Sequence, residues 1–123
     1  MKLRLTPNSI RVRIRKTALQ ELGNQGKVVE SILFPNGQKL IYGLEIIDDS
    51  PYLHAHFQDG VLMLHIPKVM AEEWIGSELV GLERDQPLPN NTTLHILIEK
   101  DFPCQHKEPE DNADTFQELA KKK

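Results

Sequence analysis

Residues 53–68 read LHAHFQDGVLMLHIPK, and the fold turns on how this stretch is paired. Asp59-Gly60 is a strong two-residue hairpin signal, because both central positions of such a turn need a left-handed backbone. With that pair as the loop, His54 faces His65, His56 faces Met63 and Gln58 faces Val61. Side chains alternate between the two faces of a strand. Leu53, Ala55, Phe57, Leu62, Leu64 and Ile66 therefore share one apolar face, and the three histidines share the other.

The same period extends outward in both directions. Residues 27–47, KVVESILFPNGQKLIYGLEII, form a second hairpin. Pro35 and Asn36 suit a type I turn, and Gly37 suits the left-handed residue after it. This pairing sets Ile32 against Leu40 and Glu30 against Tyr42. SIRVRIR, from Ser9, puts Ile10, Val12 and Ile14 on one face and Arg11, Arg13 and Arg15 on the other. KLRL precedes it across the turn-forming TPNS. TTLHILIEK is a strong strand with Leu94, Ile96 and Ile98 on one face, and SELVGLE is a weaker one. RDQPLPNN between them is expected to be loop.

Two short helices complete the inventory. TALQELG carries a capping box in Thr17 and Gln20, with Gly23 placed to close it. PKVMAEEWIG starts with Pro67 at the first helical position and stops at Gly76. Met70 and Trp74 share a face of it; Trp74 beside Glu72 and Glu73 reads as packing with a solvated edge. The expected fold is mainly β, with α+β at the margin. It is a single antiparallel sandwich or partly closed barrel of seven or eight strands with two short helices. No internal repeat is evident. Residues 1–102 form one β-rich domain, and 103–123 an acidic, partly disordered tail.

The chain has 123 residues, enough for one domain with its own core. Cys104 is the single cysteine, so no internal disulfide is possible and a reducing compartment is the simpler setting. The first residues alternate charged and apolar types and lack the apolar run of a signal peptide. No stretch approaches the roughly 20 apolar residues of a membrane helix. A cytoplasmic protein of bacterial style is expected. The net charge of −3 gives no general drive toward nucleic acid. Its distribution is uneven: Lys2, Arg4, Arg11, Arg13, Arg15 and Lys16 crowd the start, and EPEDNADTFQE near the end is acidic.

Three groups could carry chemistry. His54, His56 and His65 lie on one hairpin face, where opposed β-carbons are roughly 4.5–5.5 Å apart. That spacing suits two imidazoles on zinc or another transition metal. Arg11, Arg13 and Arg15 present a row of guanidinium groups able to bind an anionic ligand, or to be neutralised by an acid within the fold. Aromatics are few, so nucleic acid is not the expected partner. Cys104 and His106 make a C-x-H pair with no third member for a catalytic or zinc site. The chain lacks a P-loop, a dinucleotide fingerprint, G-x-S-x-G and H-E-x-x-H.

AHFQDGVLMLHIPK resembles the end of the α-crystallin domain of small heat-shock proteins, through Ala55, Gly60, Val61, Leu62, Pro67 and Lys68. Ile96-Leu97-Ile98 also matches the I-x-I of their C-terminal extensions. That likeness implies a chaperone that forms large oligomers. Over most of its length the chain resembles instead a family of small bacterial proteins, a domain of unknown function. The likeness is carried by MKLRLTPNSIRVRIRKTALQELGNQGKV at the start and LIEKDFPC with an acidic segment at the end. It implies one β-rich domain and no particular activity.

The reading that emerges is a small non-catalytic cytoplasmic binding or protein-interaction module without a cofactor, monomeric or homodimeric. Its expected partner is a protein or a small anionic ligand, with no membrane. The alternatives are a metal-dependent protein built on the three histidines and a small heat-shock-like chaperone.

Overall fold

A computed structural model describes residues 1–101. The expected tail, with Cys104 and His106, lies outside the described residues. Eight strands and two helices follow in the order β1 (Lys2–Thr6), β2 (Ser9–Ile14), α1 (Lys16–Gln25), β3 (Lys27–Leu33), β4 (Lys39–Ile47), β5 (His54–Gln58), β6 (Val61–Pro67), α2 (Lys68–Ile75), β7 (Gly81–Pro87) and β8 (Thr93–Lys100). They form two four-stranded sheets, β1-β2-β8-β7 and β3-β4-β6-β5, and neither closes into a barrel. The mainly β, two-sheet architecture is as the alternation predicts.

The sheets are mixed rather than antiparallel throughout. Each consists of two hairpins joined by a parallel pair at its centre. β2 runs parallel to β8, with Val12 beside Ile98, and β4 parallel to β6, with Leu44 beside Leu64. Hairpin signals specify only neighbours in sequence, so these two central joins are invisible to them. Each is buried on one face, and the apolar residues there form the core: Ile10, Val12, Ile14, Ile96 and Ile98 in one sheet, Leu44, Leu62, Leu64 and Ile66 in the other. Each such side chain removed from water contributes about 1.5–3 kcal/mol.

The second half of the chain repeats the first. Each half runs hairpin, helix, hairpin, and each sheet takes one hairpin from each half. Ile10, Val12, Ile14, Leu19 and Leu22 are buried, and so are Leu62, Leu64, Ile66, Ala71 and Trp74, each 52 residues further on. After the helices the step becomes 54, which aligns Val28 with Leu82 and Leu44 with Ile98. Backbone bonds obey the same rule. Ile41 N–H donates to the Gly60 carbonyl and His95 N–H to that of Asn8, both at 2.9 Å. The tips FPNGQ and LPNNT close with the same bond, from Phe34 to Gln38 and from Leu88 to Thr92. In both, the third loop residue is left-handed: Gly37 at φ 86° and Asn91 at φ 62°. The absence of a repeat, expected from sequence, is thus corrected. The halves share apolar positions and turn chemistry but few identities.

Local departures have local causes. α1 begins at Lys16 and runs past Gly23 to Gln25, where Gly26 at φ 78° ends it. No side chain caps its start, so the Thr17–Gln20 box is not formed. Gly23 faces α2 instead: a Cβ there would meet the Ile75 side chain at 3.6 Å. Pro67 is the last residue of β6 and precedes α2 rather than opening it. β7 takes in Arg84, Asp85 and Gln86, which the turn-like composition had suggested were loop. Trp74, fully buried, donates from Nε1 to the Val80 carbonyl at 3.0 Å and fixes the run from α2 into β7. Among the described residues no helix is long and apolar enough to cross a membrane.

Gly43 marks the tightest approach in the sheet. A Cβ at that position would stand 2.1 Å from the Val28 carbonyl oxygen and 2.8 Å from Val29 Cγ1. Backbone must shift to admit it, because neither the carbonyl nor the stiff valine can swing aside. Gly43→Ala is therefore expected to cost about 1–3 kcal/mol. A urea midpoint equal to that of the wild-type chain would contradict this packing.

Candidate functional site

Polar chemistry gathers on the outer faces of the two sheets, at matching positions. In the sheet containing β6, the predicted register holds: His54 lies opposite His65 and His56 opposite Met63. The parallel pairing adds what the hairpin alone could not show, namely Glu45 of β4 beside His65. Tyr52 C=O accepts from His54 Nδ1 at 3.0 Å, which leaves His54 Nε2 to accept from His65 Nδ1, also at 3.0 Å. His65 Nε2 then faces Glu45 Oε1 at 3.3 Å. The His56 ring stacks alongside His65, centroids 6.2 Å apart. Glu45 and His65 form a low wall between two open depressions of ≈ 600 Å³ and ≈ 320 Å³. Asp49 and Ser50 line the first; Lys27, Gln58 and Asp59 line the second.

These groups lie side by side in a line rather than converging on one point, and His65 Nε2 can donate to Glu45 only when the ring is protonated. Among the described residues no three or more histidine, cysteine, aspartate or glutamate side chains are arranged to hold a metal ion. Burial, and then the adjacent His54, pushes the His65 imidazole below its usual 6.5; Glu45 pulls upward more weakly, and His56 adds to the lowering.

The arginine row of the other sheet is held within the fold. Arg11 reaches Glu99 at 2.7 Å through an η nitrogen and at 2.9 Å through Nε. Arg13 Nε lies 3.5 Å from the same carboxylate oxygen. Arg15 stands apart from these two, at the start of α1, exposed and 3.8 Å from Asp101. The internal acid is thus Glu99, brought in from β8 by the second parallel pair. Sequence reading passed over His95, which donates from Nδ1 to Asp85 at 2.7 Å and lies 3.3 Å from Glu83 through Nε2. Its partners sit in β7, the strand mistaken in part for loop. The residues of the small heat-shock likeness lie in β5, its turn to β6, β6 and the start of α2, and Ile96 and Ile98 are fully buried in β8.

The sheet edges are the remaining surface, and the repeat makes them comparable. The Phe34–Gln38 bond sets the phase of β3. Ile32 and Glu30 turn their backbone groups toward β4, so Val29, Ser31 and Leu33 turn theirs outward. Ile41, opposite Ser31, confirms the phase by bonding across to Gly60. By the same logic Glu83, Asp85 and Pro87 face outward on β7. These are the devices that blunt an edge: two charges and a residue without an N–H. β3 carries valine, serine and leucine at the equivalent places, with Val29 48% and Leu33 67% exposed. Ile32 and Phe34 are exposed beside them. β5 is covered differently. Gln86 accepts from Ala55 N–H at 2.7 Å and donates to its carbonyl at 3.3 Å. Arg84 bonds the Leu53 carbonyl and stacks on Tyr52. At the position equivalent to Gln86, β3 has Ile32, which cannot make such bonds.

Fold and surface together define a duplicated, two-sheet β domain in which the equivalent edge strands β3 and β7 carry opposite chemistry. The chain belongs to a family of unknown function, DUF7009, whose model matches residues 1–120. No curated protein and no solved structure matches it.

The lowered His65 affinity has a definite sign. The folded chain takes up this proton less readily than the unfolded chain. Its contribution to stability is therefore full above about pH 6.5 and is lost as the pH falls below that value. By NMR titration the His65 ring should show a midpoint below 6.5, and His54→Ala should move it upward. A midpoint above 6.5 in the wild-type chain would show that Glu45, not burial, governs the site.

Proposed function

We propose that this chain is a non-catalytic protein-interaction module whose recognition element is the outward edge of β3. The observation that carries the reading is the contrast between equivalent edges. β7 has Glu83, Asp85 and Pro87 where β3 has Val29, Ser31 and Leu33. An unprotected edge offers a ladder of N–H and C=O groups to an extended partner, with alternate side chains supplying selectivity. Edges of this kind invite pairing, and folds that do not use them suppress them. Here one edge is suppressed and its twin is not.

The other two surfaces support a binding role less well. The guanidinium groups of Arg11 and Arg13 already meet Glu99, so an anionic ligand would compete with a carboxylate in place. A metal on the histidine face would require His54 and His65 to give up their mutual bond. A cytoplasmic setting is consistent with the lone cysteine.

The test is a titration of isotope-labelled chain with a heptapeptide of alternating valine and threonine, followed amide by amide. Perturbation is expected at Val29, Ser31 and Leu33, with none at Glu83 or Asp85. Shifts centred on the histidines or arginines, or no shift at all, would overturn the edge as the recognition element.

A further inference from the structure

We infer that the strand taken by β3 is the β3 of a second copy of this chain, antiparallel and centred on Ser31. The inference rests on β3 being the recognition edge, and names its partner. Outward backbone groups recur at Val29, Ser31 and Leu33, symmetrically about Ser31. Two copies related by a two-fold axis there bring Val29 opposite the partner's Leu33, and Ser31 opposite the partner's Ser31. Every one of these is a closely hydrogen-bonded pair of the kind antiparallel strands form.

The side chains are self-complementary in the same register. On the outer face the exposed Leu33 meets an exposed valine. On the inner face Phe34, 45% exposed at the overhanging tip, stands across from the partner's Val28, which its own copy already buries. Charge places no obstacle in this register. Lys27 and Glu30 are the only charged residues of β3, and neither falls opposite its own copy. Lys27 lies across from Pro35, and Glu30 across from Ile32. Glu30 is already engaged by the Tyr42 hydroxyl and the Met1 amino group. An isologous contact of this type closes on itself at two copies. It also joins the two β3-bearing sheets into one continuous sheet. A single-strand seam falls at the small end of specific interfaces, so the association is concentration-dependent.

Sedimentation of the full chain across the micromolar range, with charges placed at the axis, tests this. The wild-type mass is expected to rise with concentration from one chain to two. Ser31→Asp and Ser31→Lys each set like charges face to face and should weaken association about tenfold or more. Mixing the two variants should restore it, which also shows that both are folded. In a Cys104→Ser background, Ser31→Cys should link to itself under mild oxidation, since a hydrogen-bonded antiparallel pair has Cα atoms about 5.5 Å apart. Val29→Cys should link only when mixed with Leu33→Cys. A wild-type chain that stays single, a mass that climbs past two, an Asp variant that associates undiminished, or Val29→Cys linking to itself would each overturn the proposal. If the wild type stays single while the valine–threonine peptide still perturbs β3, the second copy falls and the edge reading stands. If both experiments fail, both fall.

Discussion

Everything in this molecule depends on two parallel seams, β2 against β8 and β4 against β6. Each joins strands that no turn connects directly, and each is held by apolar side chains meeting across the pair: Ile10 with Ile96 and Val12 with Ile98, then Leu44 with Leu64 and Ile46 with Ile66. Without them the chain is four hairpins, and an isolated hairpin is marginal in water. With them, each half of the sequence contributes one hairpin to each sheet, so neither half can bury its apolar face alone. The helices close the ends of this exchange, with Leu22 and Trp74 buried at equivalent places. Contacts of such long sequence separation bring an entropic cost in folding, which the continuous core must offset.

The seams also organise the surface. Outside each one, a basic residue on the inner strand stands beside a glutamate brought by its parallel neighbour: Arg13 beside Glu99, His65 beside Glu45. The repeat thus keeps a base-over-acid pair in both sheets while changing its chemistry. Arginine stays charged at any ordinary pH. His65, partly buried and next to another imidazole, gives its proton up readily. Duplicated architecture with divergent positions is what makes the unequal edges informative. β3 and β7 have the same place in the fold and nearly the same turn, so their different outward residues are not forced by the backbone.

Much of this was legible in the residues. The Asp59-Gly60 and Pro35-Asn36-Gly37 turns fixed two hairpins to the residue, because period-two alternation and left-handed turn positions leave a single register. The shared face of His54, His56 and His65 followed from that register, as did the alternation of Arg11 and Arg13. What stayed hidden was non-local. Glu45 reaches His65, and Glu99 reaches Arg11, only through the parallel seams, which hairpin signals cannot specify. β7 was obscured by Arg84, Asp85, Gln86 and Pro87, whose turn-like composition reflects a guarded edge strand rather than a loop. The repeat was hidden because burial was retained while identity was not, as in Leu22 against Trp74.

Amide hydrogen exchange, residue by residue and at two protein concentrations, tests the central claim most directly. The central claim is that two structurally equivalent edges differ, one open to a strand and one closed to it. Protection at Val29, Ser31 and Leu33 is predicted to rise on concentrating the chain, while Glu83 and Asp85 exchange at the same rate throughout. Equal behaviour of the two edges, or protection that grows on β7 instead, would contradict it.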